Sequence, residues 1–381
     1  MDARKINQVT LPDRTKVAPM QEILQRFHGT QYITTLDLSS ACLQVPLEEA
    51  SRKYTDFEFH SNAYQYQRIP YGFRNSLAGF IRALQTVLGD ETCSYVIIYV
   101  DDILIFSRSF DQHMDHLDTV LNKLTSAGFT INVRKCSVCK QEITFLGHIV
   151  SKKKLMPDPQ RIETMLNYPA PRNQKQLRRF LGVCGFHQRF IINYTSYVAP
   201  LLVLLQKQSK WKLSTELQLA FEAPRERFAY NIHLIHPDDD LPYIIHTDAN
   251  GKVIAGVLMQ ATEDGETRIV STASRVLSLA EQRYSTCEQE LLAIVYALQK
   301  FRIYIFGHRI MLYTDKKSLS FLHKCVFTSN KVARWVVELQ QYDIQVRHIT
   351  GTNKHLADVL SRNPAGLTEN EFRDLRKQLT L

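Results

Sequence analysis

Two groups of acidic residues occupy positions where they could bind divalent metal ions. In the first group, Asp37 ends the apolar run QYITTLDL, and Asp101 and Asp102 divide the apolar segment SYVIIYVDDILIFS. Carboxylates at the ends of buried strands are solvated, paired with cations or bound to a metal, because an unpaired buried charge is too costly. Oxygen ligands from two strands suit Mg²⁺, which also takes ligands from substrate phosphates. For the dipeptide alone, a simple hairpin turn explains the pattern equally well.

The second group is spread along the last third of the chain. A predicted strand ends near Asp248, a helix carries Glu290, another strand ends at Asp315, and a short helix opens near Asp358. Four carboxylates in such positions can meet at one edge of a sheet and hold two Mg²⁺ ions for phosphodiester hydrolysis. Each residue alone could equally be a turn cap, a solvated helix residue or an acid in a first helical turn. Glu288 is an alternative to Glu290 as the metal ligand on this helix, but two residues apart they face different sides of it.

The elements that position the first group mix strands and helices. The residues from Ser94 to Ser107 form two apolar, β-rich runs and predict a hairpin. A helix follows, opened by Ser109 with Gln112 as its capping-box partner and stopped by Gly128. A further hairpin is predicted across residues 129–150.

The rest of the chain changes character twice. Residues 151–235 contain basic, proline-containing connectors and helical runs. From residue 236 onward, three strands are followed by a long helix over 280–301, then by further strands and helices. Antiparallel strands followed by alternating helices and strands predict a compact α/β domain.

Composition and charge narrow the classes of protein and partner. The 381 residues are 44% hydrophobic and 22% charged, which predicts two or three globular domains and excludes a largely disordered chain. No apolar run reaches the ~18 residues that span a bilayer, and no secretory signal is visible, so we expect no membrane partner. Seven scattered cysteines indicate reduced intracellular thiols. The net charge of +9 favours a nucleic-acid partner, although a merely basic surface would give the same balance.

An ordered series of segments resembles the reverse transcriptase of Ty3/gypsy-type LTR retrotransposons. The segments are LDLSSACLQVPL, YQRIPYGFRNSLAGF, YVDDILIFS, FLGHIVS and QLRRFLGVCGFHQRFI. The resemblance implies a right-hand polymerase palm with partial fingers and a helical thumb, in which Asp37, Asp101 and Asp102 bind the catalytic Mg²⁺ ions. It also implies positions that bind the incoming nucleotide, the template and the primer end: Tyr71, Gly72, Tyr99 and Gly147.

Two departures from this family have consequences. Its members usually carry an aromatic residue at the position of Cys42, where the ring blocks the ribose 2′-hydroxyl, so a thiol predicts weaker rejection of ribonucleotides. The segment MDARKINQVTLPD resembles the middle of the fingers, so we expect the preceding basic strands to be absent. Arg4 is then a poor substitute ligand for the triphosphate, and polymerisation is expected to be weak or lost.

The second acidic group resembles the active site of ribonuclease H, in residue order and in the strand and helix pattern between its members. The resemblance implies that Asp248, Glu290, Asp315 and Asp358 hold the metal ions, and the pattern xxELxAxxxAL favours Glu290 over its neighbour Glu288. It also implies that His348 is the mobile histidine that aids proton transfer or product release. A plain histidine at a strand end is nearly as consistent with the sequence.

Together these features predict an α/β (α+β) chain of four regions. The regions are a reverse transcriptase palm with partial fingers (1–150), thumb-like connecting helices (151–235), an RNase H-like domain (236–365) and a charged tail (366–381). The predicted function is an RNA-directed DNA polymerase and RNA–DNA hybrid ribonuclease H that uses Mg²⁺, or Mn²⁺ in its place. Its expected partners are RNA template, DNA primer, the hybrid, dNTPs and other Pol and Gag products of the element. The expected location is the cytoplasm, in a virus-like particle, with access to the nucleus.

Two alternatives stay open at this point. The chain could be a truncated remnant that only binds nucleic acid, or an enzyme that retains ribonuclease H activity alone. Either would follow from the expected loss of the fingers, because the RNase H-like region contains all four of its predicted carboxylates.

Two other features predict local structure rather than chemistry. His113, His116, Cys136 and Cys139 form HxxH and CxxC patterns typical of zinc sites. Zinc is only a minor alternative there, because a helix of ~19 residues would hold His113 and Cys136 nearly 30 Å apart. Pro224 lies within a helical run and is expected to kink or split it.

Overall fold

The computed structural model describes residues 3–15, 19–152, 154–191, 194–206, 211, 214–229, 233–262, 265–314 and 330–348. The chain divides into two compact units, residues 1–143 and 144–381, and both mix helices and strands. Among the helices described, none is both long and apolar enough to cross a lipid bilayer. The predicted boundaries at residues 150 and 235 remain predictions, and the charged tail lies outside the described residues.

The first unit is built around a four-stranded antiparallel sheet. The unit has six described strands: β1 (Tyr32–Asp37), β2 (Phe57–Phe59), β3 (Asn62–Tyr64), β4 (Val96–Tyr99), β5 (Asp102–Ser107) and β6 (Ser137–Lys140). Its helices are α1 (Arg4–Val9), α2 (Met20–Gln25), α3 (Glu49–Arg52), α4 (Ser76–Leu88), α5 (Glu91–Ser94) and α6 (Phe110–Ser126). The main sheet has the order β4–β5–β1–β6, and β2 pairs with β3 alone. The predicted hairpin is confirmed as β4 and β5.

The core of the first unit forms where α4 and α6 cover this sheet. The apolar residues of each helix recur at helical spacing and form one buried stripe, as an amphipathic helix requires. Their buried members are Phe80, Leu84 and Leu88 on α4 and Leu117, Val120 and Leu124 on α6. Burying each such side chain contributes roughly 1.5–3 kcal/mol. This packing fixes β5, and with it the position of Asp102.

Helix α6 has the predicted N-cap but not the predicted capping box. The hydroxyl of Ser109 accepts the backbone N–H of Gln112, which confirms Ser109 as the N-cap. The side chain of Gln112 accepts from the backbone N–H of Arg108 instead of Ser109, so the predicted capping box is wrong. Gly128 follows the helix with a φ of +79°, which a residue without a Cβ adopts easily.

The second unit contains two sheets and six helices among its described residues. The strands are β7 (Glu142–Phe145), which begins just before the division, β8 (His148–Ser151), β9 (Leu155–Pro157), β10 (Tyr243–Ala249), β11 (Val253–Ala261), β12 (Thr267–Val276), β13 (Arg309–Thr314) and β14 (Asp343–His348). The helices are α7 (Pro159–Leu166), α8 (Gln174–Phe186), α9 (Tyr194–Leu202), α10 (Thr215–Ala229), α11 (Thr286–Ile305) and α12 (Asn330–Leu339). The hairpin predicted over residues 129–150 is only partly confirmed, because β7 and β8 are neighbouring strands at its end while β6 pairs with β1.

The larger sheet positions the second acidic group. Its order is β12–β11–β10–β13–β14, with β13 parallel to both β10 and β14. The three strands predicted after residue 236 are confirmed as β10, β11 and β12. Helix α11 begins at Thr286, later than predicted, because Ser285 caps it and residues 281–283 form a separate 3₁₀ turn. The apolar side of α11 packs on β10 and β11, with Ile294, Leu298 and Phe301 fully enclosed.

Helix α10 runs unbroken from Thr215 to Ala229 with Pro224 inside it, so the predicted split is wrong. Contacts beside the proline hold the helix in place. The guanidinium of Arg225 donates to the carbonyl oxygens of Met165 and Leu166 at the end of α7 and lies 5.0 Å from the ring of Phe221. Phe221 in turn packs on Phe180, with ring centroids 4.6 Å apart.

Two buried histidines make the second unit sensitive to acid. The rings of His148 and His187 lie 5.8 Å apart, and both side chains are buried. Burial lowers the pKa of each to about 4, helped by Arg189 near His148 and by Arg161 near His187. The unfolded chain therefore binds more protons than the folded one between about pH 6.5 and pH 4, and stability falls as pH decreases through this window.

We expect the unfolding free energy to drop on the order of 3 kcal/mol per histidine across that window. Both tryptophans, Trp211 and Trp335, lie in the second unit, so tryptophan fluorescence during denaturation follows this unit. His187→Gln should reduce the pH dependence by the share of one histidine, because His148 and His246 keep their lowered pKa values, whereas the exposed His60→Gln should leave it unchanged. Equal slopes for both variants and the wild type would contradict the assignment.

Candidate active sites

The first acidic group is assembled by strand register. Asp37 and Asp102 are direct partners across the antiparallel pair β1 and β5. Side chains at such positions have Cβ atoms roughly 4.5–5.5 Å apart, so the two carboxylates lie side by side. Asp101 immediately precedes β5 and is exposed. The structure thus sets Asp37 opposite Asp102 and places Asp101 in the turn that precedes β5.

The turn that carries Asp101 is under backbone strain. Tyr99 pairs with Asp102, which leaves Val100 and Asp101 as a two-residue hairpin loop. Val100 has a φ of +55°, a conformation that β-branched residues rarely adopt. Such strain costs about 1–3 kcal/mol and persists only where the surroundings impose it. Here Ile103 and Ile105 are completely buried and fix β5, so the loop has little freedom to relax.

The electrostatics of this cluster favour a divalent cation. Burial raises the pKa of Asp102, and the negative charges of Asp37 and Asp101 raise it further. Lys135 acts in the opposite direction, with its Nζ 3.7 Å from an Oδ of Asp37. One exposed lysine does not balance three carboxylates. The donor set, made only of carboxylate oxygens, is the type that Mg²⁺ prefers.

Cys42 and Tyr71 lie next to these acids. Cys42 is buried, and its thiol lies 4.0 Å from the carbonyl oxygen of Ser76. Burial raises the pKa of Cys42, and the charge of Asp101 adds to the effect. Burial also raises the pKa of Tyr71, with further contributions from Cys42 and Asp101. These electrostatic effects show that Cys42, Tyr71 and Asp101 lie near one another. Tyr99 lies beside them, because it is the strand partner of Asp102.

This neighbourhood gives the sugar-selectivity hypothesis a concrete test. Cys42→Phe is expected to raise the preference for dNTPs over rNTPs roughly tenfold or more, because a ring would fill the space beside Tyr71. The measurement is kcat/KM for each nucleotide class with the wild type and the variant. Cys93→Phe, which changes an exposed thiol, is the matched control. Unchanged discrimination in a folded Cys42→Phe protein would contradict the hypothesis.

Asn7, which no sequence pattern indicated, connects α1 to the loop that carries Tyr71. Its side-chain amide donates to the carbonyl oxygen of Gly72 at 2.8 Å and accepts the backbone N–H of Arg74 at 2.8 Å. The guanidinium of Arg74 donates hydrogen bonds to the carbonyl oxygens of Asn7 and Thr10. Gly72 itself has a φ of +89°. No local pattern reveals this connection, because the partners are 65 residues apart.

Arg4 and Gly147 are the remaining residues predicted to bind polymerase substrates. Arg4 is exposed at the start of α1. Gly147, with a φ of +75°, and Leu146, with a φ of +51°, form the two-residue turn between β7 and β8, which matches the positive-φ turns favoured in hairpins. The carbonyl oxygen of Gly147 accepts the backbone N–H of Asp158. Gly147 belongs to the second unit.

The structure distinguishes Glu290 from its neighbour Glu288. The carboxylate of Glu288 accepts the backbone N–H of Ser285 at 2.9 Å, which closes a capping box, and lies 2.8 Å from the Nζ of Lys331. These contacts lower the pKa of Glu288, chiefly through Lys331. Glu288 therefore stabilises the start of α11, and Glu290, which is half-buried like Glu288, stays the predicted metal ligand.

Helix α11 approaches the sheet closely near Asp248. A Cβ on Gly256 would lie 2.8 Å from the Cβ of Ala297, so a larger residue at position 256 would push the helix away. Thr247, which precedes Asp248, is the strand partner of Gly256. The glycine thus sets the distance between α11 and the strand that carries Asp248.

The other members of the second group are only partly described. Because β10, β13 and β14 are parallel, their carboxyl ends lie at one edge of the sheet, where Asp248 is found. The backbone of His348 ends β14 as the partner of Thr314, the last residue of β13. Asp315, Asp358 and the side chain of His348 lie outside the described residues.

His113 is held by hydroxyl groups in the core of the first unit, close to the backbone of Cys139. Strand β6 returns beside β1, so Thr34 accepts the backbone N–H of Cys139 at 3.1 Å while its hydroxyl lies 2.7 Å from Nε2 of His113. The hydroxyl of Ser107 contacts Nδ1 of both His113 and His116 at 2.9 Å. Both ring nitrogens of His113 are thus taken up by hydroxyl groups, and the histidine is part of a buried hydrogen-bond network.

Comparison with known families matches two parts of the chain. Residues 1–150 match the family described as reverse transcriptase (RNA-dependent DNA polymerase). Residues 238–342 match the RNase H-like domain found in reverse transcriptase. The first match contains all three carboxylates at the β1–β5 pair, and the second contains Asp248 and Glu290.

Curated relatives and solved structures agree with these matches. The chain is 35% identical, over 95% of its length, to the retrovirus-related Pol polyprotein from transposon 297 of Drosophila melanogaster, and 33% identical over 97% to that from transposon gypsy. It spans about a third of each relative, 34% and 37%. A foamy viral protease-reverse transcriptase in complex with dsDNA has the same fold, with a TM-score of 0.82, 23% identity, and coverage of 92% of this chain and 74% of that one.

A second foamy viral structure, in complex with RNA/DNA hybrid, gives a TM-score of 0.75 at 22% identity, over 97% of this chain and 50% of that one. These likenesses confirm the predicted polymerase and RNase H-like fold class. The chain therefore contains one stretch that matches a reverse transcriptase family and a second that matches an RNase H-like family, in a region similar to the Pol polyproteins of transposons.

Proposed function

We propose that the chain is the reverse transcriptase and ribonuclease H part of a Ty3/gypsy-type LTR retrotransposon Pol polyprotein. The similarity to the gypsy and 297 polyproteins supports this assignment. The observation that carries the polymerase activity is the register of β1 and β5, which sets Asp37 opposite Asp102 beside the strained turn of Asp101. The proposed reaction is the addition of dNTPs to a DNA primer on an RNA template.

In this proposal, Asp37, Asp101 and Asp102 hold Mg²⁺. When bound, the ions would lower the pKa of the primer 3′-hydroxyl and neutralise charge on the phosphates. The chain itself contributes position and charge. The β5 core holds the carboxylates in place, Lys135 orients Asp37, and Cys42 and Tyr71 shape the space beside them. A preorganised, partly buried site of this type supplies most of its catalysis through electrostatic stabilisation.

The second proposed activity is hydrolysis of RNA in an RNA–DNA hybrid. Asp248 and Glu290 would hold Mg²⁺ together with Asp315 and Asp358, and His348 would aid proton transfer or product release. The parallel pairing of β10, β13 and β14 supports this assignment, because it brings the strand ends of the group to one edge. The hybrid is the proposed substrate of both domains, and the foamy viral structures in complex with dsDNA and RNA/DNA hybrid support nucleic acid as the partner.

The experiment that tests this function supplies a labelled DNA primer on a labelled RNA template with all four dNTPs. We expect primer extension and RNA cleavage when Mg²⁺ is present and neither when it is chelated. Restoring Mg²⁺ should restore both activities, and Mn²⁺ should substitute. Activity that persists in excess chelator, or the absence of both reactions in Mg²⁺, would contradict the proposal.

A further inference from the structure

The positive charge of the chain is concentrated in one stretch. Between Glu163 and Glu216 there is no acidic residue, although the whole chain has 38 of them. The same stretch contains eight cations: Arg172, Lys175, Arg178, Arg179, Arg189, Lys207, Lys210 and Lys212. Nearly all of the net charge of +9 thus belongs to a small part of the molecule. Such a concentration attracts a polyanion more strongly than a basic surface of mixed sign does.

A groove of about 640 Å³ opens within this stretch, between the end of α7 and the start of α8. Its walls combine aromatic, proline and basic residues: Tyr168, Pro169, Pro171, Arg172, Arg179 and Trp211. Tyr168 is held from behind by Phe180, with ring centroids 5.3 Å apart. The groove has the size of a ligand site, and its two aromatic side chains are half-buried rather than freely rotating in solvent.

The cations at the groove have no anionic partner among the residues that the structure describes. Arg172 and Arg179 line the groove, Lys175 and Arg178 lie beside it on α8, and all four are exposed. Among the described residues, their side chains make one hydrogen bond, of 3.5 Å, from Arg178 to the amide oxygen of Gln174. The first turn of α8 contains no acidic residue. The site is thus an aromatic groove lined by unpaired positive charge.

We propose that this groove binds an unpaired segment of nucleic acid. One or two bases stack against Tyr168 and Trp211, and the adjoining phosphates pair with Arg172 and Arg179. Aromatic surfaces beside a basic track are the general device by which proteins hold single strands, because every base has a face that stacks. The site is distinct from both acidic groups and depends on neither proposed activity.

The geometry excludes a base-paired strand from this groove. In a duplex, both faces of each base are covered by its neighbours, so a base enters a pocket only after it is flipped out at a cost of a few kcal/mol. An unpaired strand avoids this cost. The occupant is therefore a single-stranded extension of the nucleic acid, such as the unpaired template. Proline-rich peptides also bind aromatic grooves, but they carry no negative charge for Arg172 and Arg179.

Tryptophan fluorescence tests the proposal directly, because the chain has only Trp211 and Trp335. We expect oligothymidylate to quench the fluorescence of the wild type and of Trp335→Phe, and to leave Trp211→Phe unquenched. Trp211→Ala should weaken oligothymidylate binding roughly tenfold, or about 1.4 kcal/mol, and leave binding of a blunt RNA–DNA hybrid nearly unchanged.

A pair of adjacent charges provides the matched control. Arg179 lines the groove and Arg178 does not, so Arg179→Gln should weaken oligothymidylate binding several-fold more than Arg178→Gln and reduce its salt dependence by about one phosphate contact. Three results would overturn the proposal. They are quenching that survives Trp211→Phe, equal losses for oligothymidylate and blunt hybrid in Trp211→Ala, and quenching by a proline-rich peptide but not by oligothymidylate.

Discussion

Asp101→Asn is expected to reduce primer extension by at least about 10³-fold and to leave RNA cleavage within about twofold of the wild type. The carboxylate is one of three that the β4–β5 turn and the β1–β5 register place together. Losing one charged oxygen ligand removes several kcal/mol of stabilisation of the reacting phosphates, and each 1.36 kcal/mol is a factor of ten.

The position of Asp101 makes this a clean substitution. Its side chain is exposed in a two-residue turn where asparagine is well tolerated, so the fold should be unaffected. Asp118→Asn, which removes an equally exposed acid from α6, is the matched control and should extend primers normally. Equal extension by the Asp101 and Asp118 variants would show that the cluster does not catalyse polymerisation.

The second large effect concerns hybrid cleavage and should differ between two glutamates of α11. Glu290→Gln is expected to reduce hybrid cleavage by about 10³-fold, whereas Glu288→Gln should leave cleavage within a few-fold of the wild type. The effects on stability should be reversed. Glu288→Gln weakens the capping box at Ser285 and the ion pair with Lys331, so it should lower the unfolding free energy of the second unit by about 1 kcal/mol.

The two glutamate variants are compared in the same preparation by hybrid cleavage and by denaturation followed with tryptophan fluorescence. Loss of cleavage in one variant and loss of stability in the other would distinguish the two roles, because a general loss of folding would lower cleavage and stability together. Loss of cleavage in Glu288→Gln with full activity in Glu290→Gln would reverse the assignment of the metal ligand.

Local patterns predicted most of the elements that carry the sites. The apolar runs around Asp101 and Asp102 indicated the hairpin, and the register with Asp37 followed once β1 paired beside it. The periodic apolar residues and the serine cap located α6 and α11. These signals are local, because helix caps and strand alternation depend on neighbouring residues.

Long-range contacts account for what the sequence did not predict. Asn7 reaches Gly72 across 65 residues, and the return of β6 beside β1 brings Cys139 near His113 despite the length of α6. The helix around Pro224 is unbroken because Arg225 anchors it to the end of α7. In each case tertiary packing outweighs the local preference.

The central claim is that two separate acidic clusters in one chain perform two reactions on the same hybrid. The most direct test uses one hybrid with differently labelled strands, so that primer extension and RNA cleavage are read from a single reaction, with the wild type, Asp101→Asn and Asp248→Asn. We expect both reactions in the wild type, cleavage alone in Asp101→Asn, and extension alone in Asp248→Asn. The proposed function would be contradicted if either folded variant lost both reactions, or if both variants kept both reactions.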